Sequence, residues 1–179
     1  MTLRFATLGA DREVEVQGYN AVTGVFSTLA TVTTDSAGRA VYPTGSLTYT
    51  TTFRAVFAGA PDLSPGTSDT AVVGVRRSVT MSPSYTGYRT VARGTALTYG
   101  TKIGPLNGIA VPRGTFQVYR LIDSEWVFQT SATFGTDSAG TASFSWTWSH
   151  PGDWYVRWRA NSDAFNTAAF SPIAKVTVP

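Results

Sequence analysis

Short runs in which apolar and polar residues alternate cover most of the chain, and turns rich in Gly, Pro and Asp separate them. Alternation with a period of two is the pattern of a β-strand that buries one face. In the first half of the chain it predicts strands at residues 3–7, 14–16, 25–32, 40–42, 47–49, 53–57 and 71–75. In the second half it predicts strands near residues 77–82, 95–101, 114–121, 125–131, 141–148, 153–160 and 172–178. Since no long segment has the 3.6-residue period of a helix, we expect an all-β fold.

An internal repeat divides this pattern into two. The segment Thr34-Asp35-Ser36-Ala37-Gly38 recurs letter for letter at residues 136–140, an offset of 137 − 35 = 102. The strand Phe53-x-Ala55-x-Phe57 matches residues 154–158, and Ala71-x-Val73-x-Val75 matches residues 174–178. The chain therefore contains two diverged copies of one unit, which we predict to be residues 1–76 and 77–179, joined with almost no linker.

The two copies differ at their beginning. The second copy has a segment, residues 78–94, ahead of its strand at 95–101, whereas the first copy starts at the equivalent of that later strand. We therefore expect the first copy to lack its opening strand. The cause can be the place where the sequence was cut, a natural seven-stranded variant, or an opening strand supplied by another chain. In the last case Leu3 and Phe5 are candidate docking residues.

The shared motifs resemble a known family. An aromatic hairpin (Phe26, Trp126), a Thr-Asp-Ser-Ala-Gly turn and the aromatic strand at residues 53–59 are similar to the Ig-like repeats of secreted and cell-surface bacterial proteins, notably of actinobacteria. The second copy departs from the pattern because its strand at residues 154–160 lacks the final Gly. The resemblance implies two tandem Ig-like antiparallel β-sandwiches. It also implies a secreted or cell-surface location, with a signal peptide removed from this sequence. These motifs specify a fold and not an activity.

Composition narrows the class of partner. The net charge is +3, but no Lys/Arg cluster marks a nucleic-acid groove, so we expect no nucleic-acid partner. No apolar run approaches the roughly 20 residues that span a bilayer, so we expect no membrane insertion. The chain has no cysteine, and its stability should therefore depend on core packing rather than disulfides.

The sequence offers little that could support catalysis. Each Asp-Gly turn supplies one carboxylate, Asp35 or Asp137, and a calcium loop needs several; an Asp side chain that bonds its own turn is the simpler interpretation. The single histidine, His150, lies in a turn without a nucleophile elbow. We therefore predict a protein without enzymatic activity, metal or cofactor.

The aromatic strands of the second copy are the best candidates for a special role. Trp154, Val156 and Trp158 share one strand face, as do Phe144, Trp146 and Trp148, and we expect both faces to fill the core. If these rings were exposed instead of buried, they would form a platform on which sugars could stack. The residues on the opposite side of the strand, Tyr155, Arg157 and Arg159, then form with Trp126 a candidate interaction surface.

These inferences favour a non-catalytic adaptor or structural interaction module of a secreted or surface protein assembly, docking in part by strand addition. A carbohydrate-binding module that uses exposed Trp and Tyr is the alternative, and an accessory fragment of a secreted hydrolase is a third.

Overall fold

The protein is described here by a computed structural model that covers residues 2–4, 9–84, 87–108 and 111–179. The chain forms two compact units, Met1–Val75 and Arg76–Pro179. Every regular element in the described residues is a strand. The first unit contains β1 (Thr2–Arg4), β2 (Glu13–Asn20), β3 (Val25–Thr33), β4 (Val41–Pro43), β5 (Thr51–Phe57), β6 (Gly66–Thr67) and β7 (Ala71–Val73). The second contains β8 (Ser78–Ser82), β9 (Tyr88–Thr90), β10 (Thr95–Gly104), β11 (Arg113–Ile122), β12 (Glu125–Gly135), β13 (Thr141–Trp148), β14 (Gly152–Ala160), β15 (Ala169–Phe170) and β16 (Ala174–Val178).

The second unit is a two-sheet sandwich. One sheet has the order β13-β10-β8, and the other has the order β12-β11-β14-β16-β9, with β15 also paired to β14. The opening segment contributes to both sheets, because β8 pairs antiparallel with β10 while β9 pairs parallel with β16. The central strands of the two sheets and the long connections between them give the Ig-like arrangement. The predicted all-β, Ig-like fold is thus confirmed.

Side chains from both sheets of the second unit meet in one core. Trp148, Trp158, Tyr99 and Phe116 are fully buried there, and Trp154 is nearly so. Phe144 and Trp146 pack against the same cluster while remaining partly exposed. The prediction that both aromatic strand faces turn inward is confirmed. Because each large ring buries apolar area worth about 1.5–3 kcal/mol, these rings dominate the stability of the unit.

The first unit repeats this plan with fewer strands. Its larger sheet has the order β3-β2-β5-β6, with β7 also paired to β5, and its smaller sheet is the pair β1-β4. Leu3 pairs with Tyr42 in this small sheet, as Tyr99 pairs with Phe144 in the second unit. β1 is therefore the counterpart of β10. Among the described residues of the first unit, nothing takes the places of β8 and β9.

The missing strands leave the first core partly uncovered. Its fully buried centre is Val16 and Phe53, with Tyr42, Leu47 and Val73 only partly buried around it. The two copies provide a like-for-like comparison at their last strand, Ala-x-Val-x-Val in both. In the second unit these residues, Ala174, Val176 and Val178, are 0%, 0% and 2% exposed. In the first unit, the counterparts at 71, 73 and 75 are only partly buried.

The covering residues of the second unit explain this difference. Val79 and Met81 on β8, and Val91 just after β9, are buried in its core. The backbone N–H of Val91 also donates to the Thr177 carbonyl at 3.0 Å, which closes the edge of β16. The described residues of the first unit contain no equivalent, so the same Val side chains face an opening.

One predicted strand is wrong. Residues 47–49 alternate as a strand should, but they form a bend. At the offset of 101 their counterparts are residues 148–150, of which only Trp148 belongs to a strand, where it pairs with Thr95. The short strands β6, β9 and β15 were not predicted, since two or three residues show no periodicity.

An ion pair with a buried arginine fixes one corner of the second unit. The guanidinium of Arg77, whose side chain is 1% exposed, donates to the Asp163 carboxylate and also to the Pro105 carbonyl at 3.2 Å. The repeat places Asp62 at the matching position of the first unit, where it pairs with Arg12 at 2.6 Å. That pair is more exposed, with side chains 30% and 62% exposed. The matching aspartates therefore pair with a buried arginine in one copy and with a partly exposed arginine in the other.

Candidate interaction surfaces

The two Asp-Gly turns are closed by their own carboxylates. Asp35 accepts from the backbone N–H groups of Ala37 and Arg39, both at 2.9 Å. Asp137 accepts in the same way from Ala139 at 2.9 Å and Thr141 at 2.8 Å. The hydroxyl and backbone N–H of Thr141 hold the pKa of Asp137 below its usual value. The interpretation of these aspartates as turn-closing residues is confirmed.

Other candidates for chemistry are dispersed. His150 is exposed, and its Nδ1 lies 3.0 Å from the neighbouring Ser149 hydroxyl. Within the described residues, no group of three or more His, Cys, Asp or Glu side chains converges on a point where a metal could bind. Nor do those residues form a helix long and apolar enough to cross a membrane.

Three of the residues selected from the sequence meet on the outer face of the larger sheet of the second unit. The rings of Trp126 and Tyr155 are in T-shaped contact, with centroids 4.7 Å apart. Tyr155 stacks on Tyr119 across the β11–β14 pair, at 4.4 Å. Arg157, two residues farther along β14, lies over the Tyr119 ring at 5.1 Å. These residues and Phe128, which contacts Tyr119 at 5.5 Å, form what we call the outer aromatic face.

Hydrogen bonds hold the arginine of this face in place. Arg157 donates from Nε to Gln117 at 2.8 Å and from a terminal nitrogen to the Tyr119 hydroxyl at 2.9 Å. Its guanidinium also covers the Phe170 ring at 4.1 Å. No carboxylate in the described residues lies within ion-pair distance of it. The cation is therefore fixed by neutral groups and its charge is not neutralised.

Tyr155 points outward but is largely covered by its neighbours. Only 9% of it is exposed, because the rings of Tyr119 and Trp126 enclose it. Burial raises the pKa of the Tyr155 phenol, with the Arg157 charge acting in the opposite direction. The exposed rings of this region are instead Phe128 and Phe170.

Tyr119, Gln117 and Phe170 belong to this surface but were not predicted from the sequence. The strand period could have placed Gln117 and Tyr119 opposite the buried Phe116 and Val118, but the partner residues across the sheet depend on register. Arg159 lies on the same strand face as Arg157, opposite Thr115. Leu3 is a backbone position in β1 paired with Tyr42, while Phe5 lies outside the described residues.

The second surface is the opening in the first unit, which we call the groove. It lies between the segment 44–50, which is not a strand, and the strand β7. Leu47 and Val73 are partly buried on its two sides, around the buried Phe53. On the side of β7 away from β5, no described residue pairs with the strand. The groove thus combines apolar side chains with the edge of β7, and an extended peptide can bind to such an edge.

A pocket opens at one end of the groove. Its volume is about 230 Å³. Its walls are mostly tyrosine, leucine and phenylalanine side chains with a few small polar groups, and none is charged: Gly18, Tyr19, Asn20, Ser27, Leu29, Tyr42, Thr44, Leu47, Tyr49, Thr51 and Phe53. The pairing Gly18–Phe53 corresponds to Arg120–Trp154 in the second unit. At the repeat offset of 154 − 53 = 101, Leu47 corresponds to Trp148. Leu47 is smaller than Trp148, whereas the Leu29 side chain fills the space beside Gly18, 2.7 Å from where a Cβ would stand.

Comparisons with known proteins add little to this description. No protein-family model matches the chain, and no curated protein matches it. Among solved structures, the chain is similar to the FN1–FN3 domains of chicken CNTN1, with 12% identity and a TM-score of 0.29. That alignment covers 99% of this chain, which spans 59% of the matched chain. The fold assignment rests on the strand topology described above.

Proposed function

We propose that this chain is a non-catalytic interaction module of a secreted or cell-surface bacterial assembly, and that its first unit docks an extended strand of a partner. The observation that carries the proposal is the difference in burial between two segments that share the pattern Ala-x-Val-x-Val. Ala-x-Val-x-Val is fully covered by β8, β9 and Val91 in the second unit, and partly uncovered in the first. A strand from a partner would restore the missing cover.

Two kinds of interaction would stabilise such a complex. Backbone hydrogen bonds to the free edge of β7 supply affinity without sequence preference, and side chains at alternate positions of the added strand enter the groove. In the second unit β9 makes three such parallel partner pairs with β16, at Lys175, Val176 and Thr177. The partner strand is expected to take this register on β7.

Composition supports the bacterial and exported parts of the proposal. The chain has no cysteine, so an oxidising environment would neither crosslink nor damage it through thiols. Arg residues greatly outnumber the two lysines, Lys102 and Lys175, as in GC-rich bacterial genomes. The resemblance to bacterial Ig-like repeats points in the same direction.

Carbohydrate binding has less support. Trp148, Trp154 and Trp158 are buried in the core, and the outer aromatic face presents mainly ring edges because Tyr119 and Tyr155 stack on each other. A sugar-binding platform needs accessible ring faces. Binding to a glycan array, lost in Phe128→Ala but kept in a groove variant, would favour this alternative over strand docking.

The test uses the segment that covers the second unit. A synthetic peptide of residues 76–94 is added to the full chain, and the same segment is fused ahead of Thr2 through a flexible Gly/Ser linker, which raises its effective concentration to about the millimolar range. We expect slower amide hydrogen exchange at residues 44–50 and 71–73 and a higher unfolding temperature of the first unit. A scrambled peptide of equal composition is the control. If neither the free nor the fused segment protects these residues, the proposal is wrong.

A further inference from the structure

The outer face of the larger sheet in the first unit carries two carboxylates. Glu13 and Glu15 alternate along β2 with the buried Val14 and Val16, so both side chains point away from the core. Across the sheet Glu15 pairs with Val56 of β5, which has no charge. The ion pairs of the described residues involve other carboxylates, so neither glutamate is neutralised. We call this surface the acidic face.

Neighbouring side chains hold Glu15 in position. Its carboxylate accepts from the Thr28 hydroxyl at 2.9 Å and from the Gln17 amide at 3.1 Å. Arg54, on the same face of β5, donates to Gln17 at 2.9 Å and covers the Phe26 ring at 4.0 Å. Since this arginine pairs with neutral groups, both carboxylates of the acidic face remain available to a cation from outside.

The equivalent positions of the second unit have neither carboxylate and carry two arginines instead. At the repeat offsets of 102 and 101, the corresponding residues are Glu13 and Thr115, Glu15 and Gln117, Val56 and Arg157, and Ala58 and Arg159. The register supports this alignment, because Gln117 pairs with Arg157 as Glu15 pairs with Val56. The two copies therefore present opposite charges on the same face of the same sheet.

The cations of the second unit lack negative partners. Arg157 and Arg159 are partly exposed, and no carboxylate of the described residues lies within ion-pair distance of either. Lys175 of β16 adds a third cation, since it pairs across the sheet with Tyr155. The carboxylate of Asp153, on the same strand face, accepts from the Thr177 hydroxyl at 2.6 Å instead. We call this surface the basic face.

The net charges of the two units follow the same division. The first unit has four basic and six acidic residues, 4 − 6 = −2, and the second has ten and five, 10 − 5 = +5. Complementary potentials steer association and disfavour contacts between like charges. Each outer face also exposes an aromatic ring, Tyr19 at 37% and Phe128 at 51%. A contact between the acidic and basic faces would therefore bury apolar area together with the charges.

From these observations we infer that copies of this chain associate head to tail, with Glu13 and Glu15 of one copy against Arg157 and Arg159 of the next. The two copies use different surfaces, so the contact does not close as a two-fold dimer does and can add further copies. This contact is independent of the groove, and it adds self-assembly to the proposed interaction module.

Sedimentation velocity of the full chain measures this association. We expect the mass to increase with concentration in about 0.01 M salt and to be that of the monomer in about 1 M salt, because the Debye length falls from about 30 Å to about 3 Å. Each exposed ion pair changes an association constant by up to about fivefold. Reversing the charge of either face should therefore weaken association by about 25-fold.

Charge reversal identifies the two faces. Glu13→Lys with Glu15→Lys makes both faces basic, and Arg157→Glu with Arg159→Glu makes both faces acidic. Neither variant should associate alone, whereas an equimolar mixture of the two should associate as the unmodified chain does. Lys102→Glu with Arg93→Glu is the matched control, because it reverses two exposed cations outside the larger sheet, and it should preserve association.

The mixture also shows that both variants are folded. If Arg157→Glu unfolds the second unit, as monitored by tryptophan fluorescence, Glu13→Lys and Arg159→Glu provide the same comparison without disturbing a described side-chain hydrogen bond. A chain that stays monomeric in low salt overturns the inference, even if it binds an added acidic peptide. Association that survives either reversal, or a mixture that does not restore it, overturns the inference as well. Strand docking is tested separately, by protection of residues 44–50 and 71–73.

Discussion

The matched aspartates of the two units allow one energetic prediction to be worked out with an internal control. Asp163→Asn keeps an oxygen that can accept from the backbone N–H groups of Phe165 and Asn166, now at 2.9 and 2.8 Å, but removes the negative charge facing Arg77. Removing one partner of a buried ion pair costs about 3–5 kcal/mol, since the other charge stays buried. The Asp163 side chain is 28% exposed, and solvent screening reduces the expected loss to about 2–3 kcal/mol.

The same change in the first unit should have little effect. Asp62→Asn breaks a pair whose side chains are 30% and 62% exposed. Exposed pairs contribute about 0–1 kcal/mol, so the loss should stay below about 1 kcal/mol. The contrast compares two equivalent aspartates, one paired with a buried arginine and one with a partly exposed arginine.

Tryptophan fluorescence separates the two units without cutting the chain. All five tryptophans lie between residues 126 and 158, inside the second unit. The fluorescence transition therefore reports that unit, while calorimetry reports both. A loss of 1 kcal/mol lowers the unfolding temperature of a domain of this size by roughly 4–8 °C. We expect a decrease of about 10–20 °C in the fluorescence midpoint for Asp163→Asn.

Acidification should also lower the stability of the second unit. Burial tends to raise the pKa of Asp163, but the N–H groups of Phe165 and Asn166 and the Arg77 guanidinium outweigh it and lower the pKa below its ordinary 3.8. A lowered pKa means that this stabilisation is complete above about pH 4 and is lost as the pH falls through the folded-state value. Asp163→Asn should remove this part of the acid dependence.

Two results would refute the reasoning. The first result is an equal effect of the two substitutions. In that case Asp163→Asn lowers the fluorescence midpoint by no more than Asp62→Asn lowers the calorimetric midpoint of the first unit. The second concerns Arg77→Met combined with Asp163→Asn. If the loss comes from an uncompensated charge, removing the arginine as well should recover part of the stability, and a further decrease would show that the charge is not the cause.

Three other predictions concern the turns, the outer face and the core. Asp35→Ala and Asp137→Ala each remove two hydrogen bonds from backbone N–H groups, so each should lower the unfolding temperature of its own unit. Added Ca²⁺ should shift neither unfolding midpoint of the unmodified chain. A calcium-dependent rise would reveal a cation site. Burial raises the pKa of Tyr155 above 10.0, so the stability of the second unit should decline as the pH rises beyond that value. Tyr155→Phe should lessen this decline, as measured by fluorescence in an alkaline titration. Trp148→Leu should cost the second unit about 2–3 kcal/mol in denaturant unfolding, since it leaves a cavity among the rings of Tyr99, Trp146 and Trp154. An unchanged midpoint would mean that the unit closes around the smaller side chain.

The strand pattern of the chain was readable because sheet faces alternate with a period of two. Phe116, Trp154 and Trp158 could be assigned to the core from that period alone, and the Asp-Gly turns from local chemistry. Residues 47–49 show where the period is insufficient. Their alternation is regular, yet they lie outside every described strand. A strand is a property of a pair, and a single run of residues does not contain its neighbour.

Prediction of the candidate surfaces requires knowledge of strand pairing even more than prediction of the strands does. That Tyr155 faces outward follows from Trp154 facing inward, but its small exposure follows from Tyr119 and Trp126 on other strands. The groove was anticipated as a missing strand, since the repeat showed a segment present in one copy only. Its pocket was not anticipated, because its walls come from β2, β3, β5 and residues 42–49, and the strand period does not show that these parts of the chain lie together.

The parallel pairing of β9 with β16 has a consequence for force. When the chain of the second unit is pulled from its two ends, these neighbouring strands are drawn in opposite directions along their length, so the bonds at Lys175, Val176 and Thr177 share the load and must break together. The described strands of the first unit include no parallel pair, and its antiparallel pairs can open one bond at a time. Under tension the first unit should therefore extend at lower force, and a strand bound in its groove would act as a mechanical lock.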